Sequence, residues 1–286
     1  MHLVATLSVA AGILVPSICA AQAAPPPPKF FDSDGVRIRY VVRGEGPPVV
    51  LVHGFATSVE LTWGGVGILD SLASTHTVIA LDLRGHGQSD KPRGPDAYGV
   101  RFVDDLVNLL DHLQIERAPV VGYSLGAAIT LKLLTAHPER VRSAVLAAGG
   151  WRQPGESPPP WRAAWLHGLE RAGAEGTSVI EVLRQPDWPE LAPEVEAAVN
   201  RNDPRALAAV LRGDVGLAVT EAELRANAVP TIAVVGSDDL MARDAVERMA
   251  GVMANLEVTL IPDANHLTAL THPLLLQTML GFLRSH

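Results

Sequence analysis

The feature that most constrains the fold of this chain is a series of short, uninterrupted apolar runs separated by amphipathic stretches. The runs cover residues 49–52, 78–81, 119–121, 144–146 and 232–235. A strand covered on both faces has no polar side, so such runs indicate buried strands of a parallel sheet. Apolar residues recur at helical spacing in residues 100–113, 125–137, 242–253 and 273–283. The alternation predicts an α/β fold, with a mostly parallel β-sheet flanked by helices.

Two segments depart from this alternation. Residues 29–31 and 36–41 flank turn-forming residues 32–35, and the second run alternates between apolar and polar side chains, which predicts a β-hairpin. Residues 151–225 begin with a proline-rich stretch and continue with helical patterns that contain no buried strand. We interpret them as an inserted helical cap, which divides the predicted α/β core into residues 24–150 and 226–286.

The composition excludes several classes of protein. The chain has 31 acidic and 23 basic residues and a formal net charge of −8, which argues against a nucleic-acid partner. Its 48% apolar and 19% charged residues are typical of a globular protein with a large core. No metal or other cofactor is expected, because the sequence contains no metal-ligand spacing and no phosphate- or dinucleotide-binding motif.

Residues 1–23 are predicted to be a signal peptide. An uncharged, largely apolar run at residues 3–15 is too short to span a bilayer, and an Ala-x-Ala pattern ends at Ala23. We therefore expect an exported protein, periplasmic or secreted, without a stable membrane span after cleavage. Because the run is not preceded by Lys or Arg, a disordered or membrane-tethered tail is the alternative. Cys19, the one cysteine of the chain, leaves a lipid anchor open.

The sequence Gly122-Tyr123-Ser124-Leu125-Gly126 follows a predicted buried strand and opens a predicted helix. A nucleophilic serine at the apex of a tight strand-turn-helix bend requires this context. The glycines allow two backbone segments to approach closely at the bend. The pattern alone also occurs in ordinary loops, so its position between a strand and a helix carries the prediction.

We call this strand-turn-helix bend at residues 122–126 the elbow. With it, the chain resembles the α/β-hydrolase fold family from about Phe30 to Leu283. Three further motifs carry the resemblance: Val52-His53-Gly54-Phe55, the run Asp82-Leu83-Arg84-Gly85-His86-Gly87-Gln88-Ser89-Asp90, and Pro262-Asp263-Ala264-Asn265-His266. The members with a serine nucleophile and a helical lid are the most similar.

The resemblance implies a catalytic group of Ser124, Asp239 and His266, in the chain order of this family. His272 is the alternative base and Asp238 the alternative acid. The resemblance assigns loop-shaping roles to His53 and His86. It also implies an oxyanion hole, formed by the backbone N–H groups of Leu125 and Phe55.

Aromatic residues are the candidates for the substrate pocket. The predicted lining is Phe55, Trp63, Tyr123, Trp151, Trp161 and Trp165. Four of the five tryptophans lie in the inserted segment, where they suit a hydrophobic ceiling over Ser124. The alternative is that these rings form the core of the cap itself.

The predicted function is that of a serine hydrolase which cleaves a carboxylic ester of a small to medium hydrophobic molecule through an acyl-enzyme. A lactonase, a C–C bond hydrolase or a perhydrolase with the same three residues is the alternative, and a catalytically silent ligand-binding module is the alternative of another class. Serine at position 124 argues against family members that use a carboxylate nucleophile. The expected partner is a small ester-like molecule, and the oligomeric state stays open.

Overall fold

The computed structural model of the protein describes residues 28–286. The predicted signal peptide, residues 1–23, its cleavage site and Cys19 lie outside these residues. The predictions of export and of a lipid anchor therefore rest on the sequence alone.

Within residues 28–286, one sheet contains eight strands. They are β1 (Lys29–Ser33), β2 (Val36–Arg43), β3 (Pro48–Val52), β4 (Thr77–Leu81), β5 (Ala118–Tyr123), β6 (Val141–Ala147), β7 (Thr231–Gly236) and β8 (Leu256–Ile261). Their order across the sheet is β1-β2-β4-β3-β5-β6-β7-β8. The β1–β2 hairpin is antiparallel, β2 pairs antiparallel with β4, and all other neighbours are parallel. The predicted α/β fold with a mostly parallel sheet is confirmed.

The helices connect these strands. They are α1 (Ile68–Ala73), α2 (Arg101–His112), α3 (Leu125–Ala136), α4 (Pro160–Glu175), α5 (Val179–Leu183), α6 (Pro193–Val199), α7 (Pro204–Gly213), α8 (Glu221–Ala226), α9 (Arg243–Ala250), α10 (Thr268–Thr271) and α11 (Pro273–Ser285). None of the helices in the described range has both the length and the apolar character needed to cross a bilayer.

Both faces of the sheet are buried, which explains the uninterrupted apolar runs. In β3, Val50 and Val52 belong to a hydrophobic cluster that includes residues of α2, α3 and α9. Val49 and Leu51 of the same strand belong to a second cluster, on the other face, with residues of α1 and α11. Because successive side chains of a strand point to opposite faces, each of these positions must be apolar.

Two helical elements differ from the prediction. Helix α9 ends at Ala250, three residues before the predicted end, because Gly251 has low helix propensity and the chain continues as a turn. Helix α1 was not predicted. It has only six residues, too few for a helical period of apolar side chains to be recognised.

The chain leaves the sheet after Ala147 and returns to it at Thr231, and the helices α4 to α8 lie in between. Residues of α4, α5, α6 and α7 form a third hydrophobic cluster, separate from the two clusters on the sheet. Leu217, Val219 and Leu224 instead belong to the cluster under α2 and α3. Trp151 and, from α7, Ala209 and Val210 belong to the same cluster, so the predicted cap packs against the α/β core at several points along its length.

Candidate active site

Ser124 lies between β5 and α3, at the carboxyl edge of the sheet. Its backbone has a φ of 55° and a ψ of −114°, a conformation that residues with a side chain rarely adopt. A side chain on Gly122 would overlap the carbonyl group of Gly126, and one on Gly126 would overlap the carbonyl group of Val52. The two glycines are thus required by the close backbone approach that forms the bend.

Ser124, His266 and Asp239 form a continuous hydrogen-bonded chain. The Ser124 Oγ atom is 2.9 Å from Nε2 of His266, and Nδ1 of His266 is 2.9 Å from Oδ2 of Asp239. The histidine follows β8 and the aspartate follows β7. Since the ends of parallel strands meet at one edge of the sheet, residues that are far apart in sequence become neighbours here.

Asp239 is fully buried, and its carboxylate is held from two sides. While Oδ2 faces His266, Oδ1 accepts hydrogen bonds from the backbone N–H groups of Met241 and Ala242, both at 3.0 Å. These bonds fix the orientation of the carboxylate toward the ring. They also satisfy acceptors that burial removes from water.

The two alternative residues have other environments. The Asp238 carboxylate accepts a hydrogen bond from the hydroxyl of Ser237 at the surface. His272 accepts a hydrogen bond from the N–H of Leu274 and thereby caps α11. The structure therefore brings together Ser124, Asp239 and His266, and neither alternative joins them.

Tyr123 supports the loop that carries the histidine. Its buried hydroxyl donates a hydrogen bond of 2.6 Å to the carbonyl oxygen of His266. Burial raises the pKa of Tyr123 well above its ordinary value, so the phenol keeps the proton that it donates. The prediction that Tyr123 lines the substrate pocket is wrong, because the ring is buried and is not part of the cavity lining.

The two predicted oxyanion donors, the N–H groups of Leu125 and Phe55, belong to the backbone segments beside Ser124. In the described part of the chain, no protein acceptor takes a hydrogen bond from the N–H of Leu125 or of Phe55. Leu125 directly follows the nucleophile position. Gly54, which precedes Phe55, lies so close that a Cβ on it would be 3.3 Å from Cβ of Ser124.

A cavity of about 340 Å³ is lined by Ser124 and His266. Its aromatic lining is Phe55, Trp151, Trp161 and Trp165. The rings of Phe55 and Trp165 are stacked, with centroids 5.9 Å apart and an angle of 12° between their planes. Phe55 belongs to the core and Trp165 to the inserted segment, so both parts of the chain contribute to the wall.

Trp63 is a second correction to the predicted pocket. Its side chain is fully buried in the cluster on the α1 face and contacts the ring of Tyr123 edge to face, with centroids 6.4 Å apart. Neither ring lines the cavity. A large aromatic ring after the Phe55 loop suits a pocket and a core equally well, and only the packing distinguishes the two.

Charged residues also line the cavity, and the sequence analysis missed them. They are Arg152, Glu156, Arg162, Asp214, Asp244 and Arg248. Arg162 donates to both carboxylate oxygens of Asp214, and Arg152 donates to the same carboxylate at 3.2 Å. The three arginines are balanced by three carboxylates. The ion pairs of Asp214 with Arg152 and Arg162 span 62 and 52 residues and leave no local spacing. Asp244 and Arg248 are an i, i+4 pair in α9, a spacing that surface ion pairs of helices share.

Within residues 28–286, no group of three or more His, Cys, Asp or Glu side chains has an arrangement suited to a metal ion. A half-buried serine, a buried histidine and a buried aspartate thus lie together beside a cavity with an aromatic and charged lining. This arrangement defines a protein of the α/β class with a nucleophile elbow at the carboxyl edge of its sheet.

A model of the α/β hydrolase fold matches residues 47–273. The chain therefore belongs to the α/β hydrolase fold family. A 2-hydroxymuconate semialdehyde hydrolase of Pseudomonas sp. (strain CF600) is 38% identical to it over 112 residues, which are 39% of this chain and 40% of the relative. The chain spans between 31 and 43% of the length of the curated relatives that it matches.

Solved structures match over nearly the whole chain. A hydrolase from Pseudomonas aeruginosa PA01 is 26% identical, with a TM-score of 0.76, and the match covers 90% of this chain and 98% of the other. A thermophilic esterase from Thermogutta terrifontis is 24% identical, with a TM-score of 0.77, and the match covers 91% of this chain and 98% of the other. The second likeness concerns the fold alone.

Proposed function

We propose that this protein is a serine hydrolase that cleaves carboxylic esters through an acyl-enzyme. The observation that carries the proposal is the hydrogen-bonded chain from Ser124 through His266 to Asp239, with both distances at 2.9 Å. A serine hydroxyl is a weak nucleophile at neutral pH unless a base accepts its proton. The histidine is within hydrogen-bond reach to do so, and the buried carboxylate orients it.

In the acylation step, Ser124 Oγ attacks the ester carbonyl carbon while its proton moves to Nε2 of His266. Nδ1 keeps its proton because Asp239 accepts a hydrogen bond from it. The tetrahedral intermediate collapses when the bond to the alcohol oxygen breaks, and His266 gives its proton to the departing alcohol. Water then attacks the acyl-enzyme with the same histidine as base, and the acid leaves as Ser124 is regenerated.

The N–H groups of Leu125 and Phe55 stabilise the negative oxygen of both tetrahedral intermediates. Both donors are unengaged within the described residues, which makes them available to this oxygen. Two donors that are oriented before the reaction lower its barrier by several kcal/mol. This role depends on backbone atoms, so a change of the Phe55 side chain alters the shape of the cavity and leaves the donor in place.

The cavity suits a small to medium hydrophobic ester. Its volume of about 340 Å³ is at the lower end of the range for small-molecule sites, roughly 300–1,000 Å³. Phe55, Trp161 and Trp165 give the cavity an apolar wall. The charges of the three arginines and three carboxylates in its lining cancel. We further propose that residues 151–225 act as a cap over Ser124, because Trp161 and Trp165 of this segment line the same cavity as the serine.

A C–C bond hydrolase is the second candidate. It is supported by the 38% identity, over 112 residues, to the relative named as a 2-hydroxymuconate semialdehyde hydrolase. The same three residues can serve a lactonase or a perhydrolase. Serine in place of a carboxylate nucleophile argues against epoxide or haloalkane chemistry.

The test uses a fluorophosphonate probe and p-nitrophenyl esters of acetate, butyrate and octanoate. We expect the wild-type protein to be labelled and to hydrolyse at least the shorter esters, and the Ser124→Ala variant to do neither. Ser74→Ala, at an exposed serine after α1, is the matched control. Labelling of Ser124→Ala at the wild-type level would overturn the proposal. Labelling without ester turnover would favour the lactonase or C–C hydrolase, and an absence of both would favour the binding module.

We also propose export, from the apolar run and the Ala-x-Ala pattern of residues 1–23. N-terminal sequencing of the protein recovered from the periplasm or medium tests it. A mature chain that begins at Ala24 is expected, and an intact N-terminus in the cell interior would contradict export.

A further inference from the structure

The carbonyl oxygen of Gly54 is held by two side chains from its own loop. It accepts a hydrogen bond of 2.7 Å from Nδ1 of His53 and a hydrogen bond of 2.9 Å from the hydroxyl of Thr57. The Thr57 oxygen is in turn 2.9 Å from the hydroxyl of Thr62, which is buried. Because the one proton of Thr57 is donated to Gly54, Thr62 must be the donor to Thr57.

The protonation state of His53 follows from its two partners. The Nε2 atom accepts a hydrogen bond of 3.0 Å from the N–H of Leu83, so it carries no proton. The proton of the neutral ring is therefore on Nδ1, the atom that faces Gly54. Burial lowers the pKa of His53 to about 4, so the ring stays neutral at ordinary pH.

The oxygen of Gly54 and the N–H of Phe55 belong to one peptide unit. This unit is planar and trans, so its carbonyl and its N–H point in opposite directions, and an anchor on one orients the other. Hydrogen bonds to a carbonyl oxygen also polarise the N–H of the same peptide. With His53 and Thr57 bound to the carbonyl oxygen, the N–H of Phe55 is directed away from both. The peptide borders the serine, because a Cβ on Gly54 would lie 3.3 Å from Cβ of Ser124.

We propose that Thr57 is a positioning residue for the oxyanion hole. Its hydroxyl, together with Nδ1 of His53, holds the peptide between Gly54 and Phe55 so that the Phe55 N–H is aimed at the developing oxyanion before substrate binds. The inference rests on the proposed serine hydrolase function. It predicts that the Thr57 hydroxyl affects the chemical step more than it affects substrate binding, because the oxyanion exists only in the transition state and the intermediates.

The test compares Thr57→Val, which keeps the shape of the side chain and removes the hydroxyl, with Thr57→Ser, which keeps the hydroxyl. Thr135→Val is the matched control, since the Thr135 hydroxyl also donates to a backbone carbonyl, that of Leu131 in α3. The measured quantities are kcat and KM for p-nitrophenyl butyrate and the inhibition constant of phenylboronic acid. Phenylboronic acid forms a tetrahedral adduct with a nucleophilic serine and so mimics the intermediate.

For Thr57→Val we expect kcat to fall about tenfold, less than the roughly 10²–10³-fold loss on removal of a whole oxyanion donor, while KM changes little. Phenylboronic acid should bind more weakly by a similar factor. Thr57→Ser should recover most of kcat, and Thr135→Val should match wild type. Thr62→Val, which removes only the donor to Thr57, should lower kcat in the same direction and by a smaller factor.

Each rate is expressed per site titrated with the fluorophosphonate probe, so molecules that fail to fold are not counted. An unchanged kcat in folded Thr57→Val would overturn the inference while leaving the proposed function intact. A kcat for Thr57→Ser as low as that of Thr57→Val would also overturn it, because packing and not the hydroxyl would then be responsible. If wild-type protein neither reacts with the probe nor turns over the ester, the proposed function fails and this inference fails with it.

Discussion

The side-chain amide of Asn202 donates a hydrogen bond of 2.9 Å to the carbonyl oxygen of Ala56. Asn202 is buried and lies between α6 and α7 in the inserted segment, whereas Ala56 follows Phe55 in the core. The same amide also donates to the carbonyl oxygen of Val199. The loop with the proposed oxyanion donor is thus connected to the inserted segment by a specific buried hydrogen bond.

Replacement of Asn202 by alanine should weaken both this connection and the fold. The carbonyl oxygen of Ala56 loses its donor, whereas that of Val199 keeps the backbone N–H of residue 202. The lost bond should lower the free energy of unfolding by about 1–3 kcal/mol. We also expect a lower kcat/KM for p-nitrophenyl butyrate, because the Phe55 loop loses this hydrogen bond to the inserted segment. Urea unfolding and steady-state kinetics measure the two effects. Asn108→Ala is the control, since Asn108 bonds the hydroxyl of Ser33 on the hairpin. Equal kinetics of the two variants would contradict a link to the active site.

Replacement of Asp239 by asparagine should abolish most activity without unfolding the protein. The asparagine amide has the same shape as the carboxylate, but it no longer holds the proton of His266 on Nδ1. The Nε2 atom is then no longer kept free to accept the serine proton. We expect kcat to fall about 10³–10⁴-fold. Asp238→Asn is the matched control, because it changes the neighbouring carboxylate, and it should retain activity. If Asp238→Asn proved the more damaging substitution, the assignment of the acid would be wrong.

Replacement of Tyr123 by phenylalanine should lower both stability and kcat. The carbonyl oxygen of His266 would be left buried without its donor, at a cost of about 1–3 kcal/mol, and the histidine loop would lose its support. Tyr40→Phe is an informative comparison, because that hydroxyl contacts Nε2 of His112 away from the active site. Both variants should show a lower thermal midpoint, and only Tyr123→Phe should show a lower kcat. An unchanged kcat would restrict Tyr123 to a packing role.

Trp165 and Trp188 are two neighbouring tryptophans of the inserted segment with different positions relative to the cavity. Their rings contact each other edge to face, with centroids 6.2 Å apart, but only Trp165 lines the cavity. Both Trp→Ala variants should lose stability, by about 3–5 kcal/mol if the ring is well packed. Trp165→Ala alone should change the relative kcat/KM for butyrate and octanoate esters. The same chain-length preference in both variants would show that the Trp165 ring does not contact the acyl chain.

Two buried histidines should make the fold sensitive to acid. Burial lowers the pKa of His53 to about 4 and that of His86 to about 3, from an ordinary value near 6.5. Between pH 6.5 and 4 the unfolded chain therefore binds protons that the folded chain does not, so the free energy of unfolding falls as the pH falls. At pH 5 the loss should be about 2 kcal/mol for each histidine relative to pH 7.5.

The measurement is urea unfolding at both pH values for wild type and His86→Asn. Asparagine can retain the hydrogen bond from Nδ1 of His86 to the carbonyl oxygen of Arg84, and it does not titrate. Between pH 7.5 and pH 5, the free energy of unfolding of His86→Asn should fall less than that of wild type, by about 2 kcal/mol, the contribution of one histidine. His167→Asn, at an exposed position of α4, should keep the wild-type pH dependence. If His86→Asn did the same, His86 would not contribute to acid sensitivity.

Local sequence sufficed for much of the fold, because continuous apolar runs can be satisfied only by strands that are covered on both sides. The elbow could be located for a similar reason. Gly122, Ser124 and Gly126 are close in sequence, and the steric demand that selects them acts within one turn. The pairing of His266 with Asp239 needed the family resemblance, since no local pattern distinguishes Asp239 from Asp238.

The surroundings of these residues were decided by tertiary structure. Trp63 and Tyr123 could be assigned to a pocket by residue type, yet both are in the core, because packing across the sheet determines which face a ring covers. The partners of Asp214 and Ala56 come together only when distant segments of the chain meet. By itself, the sequence therefore determined the alternation of strands and helices and the position of the bend. The folded chain decided which donor faces which acceptor, because hydrogen bonds and ion pairs depend on distances that the order of residues does not contain.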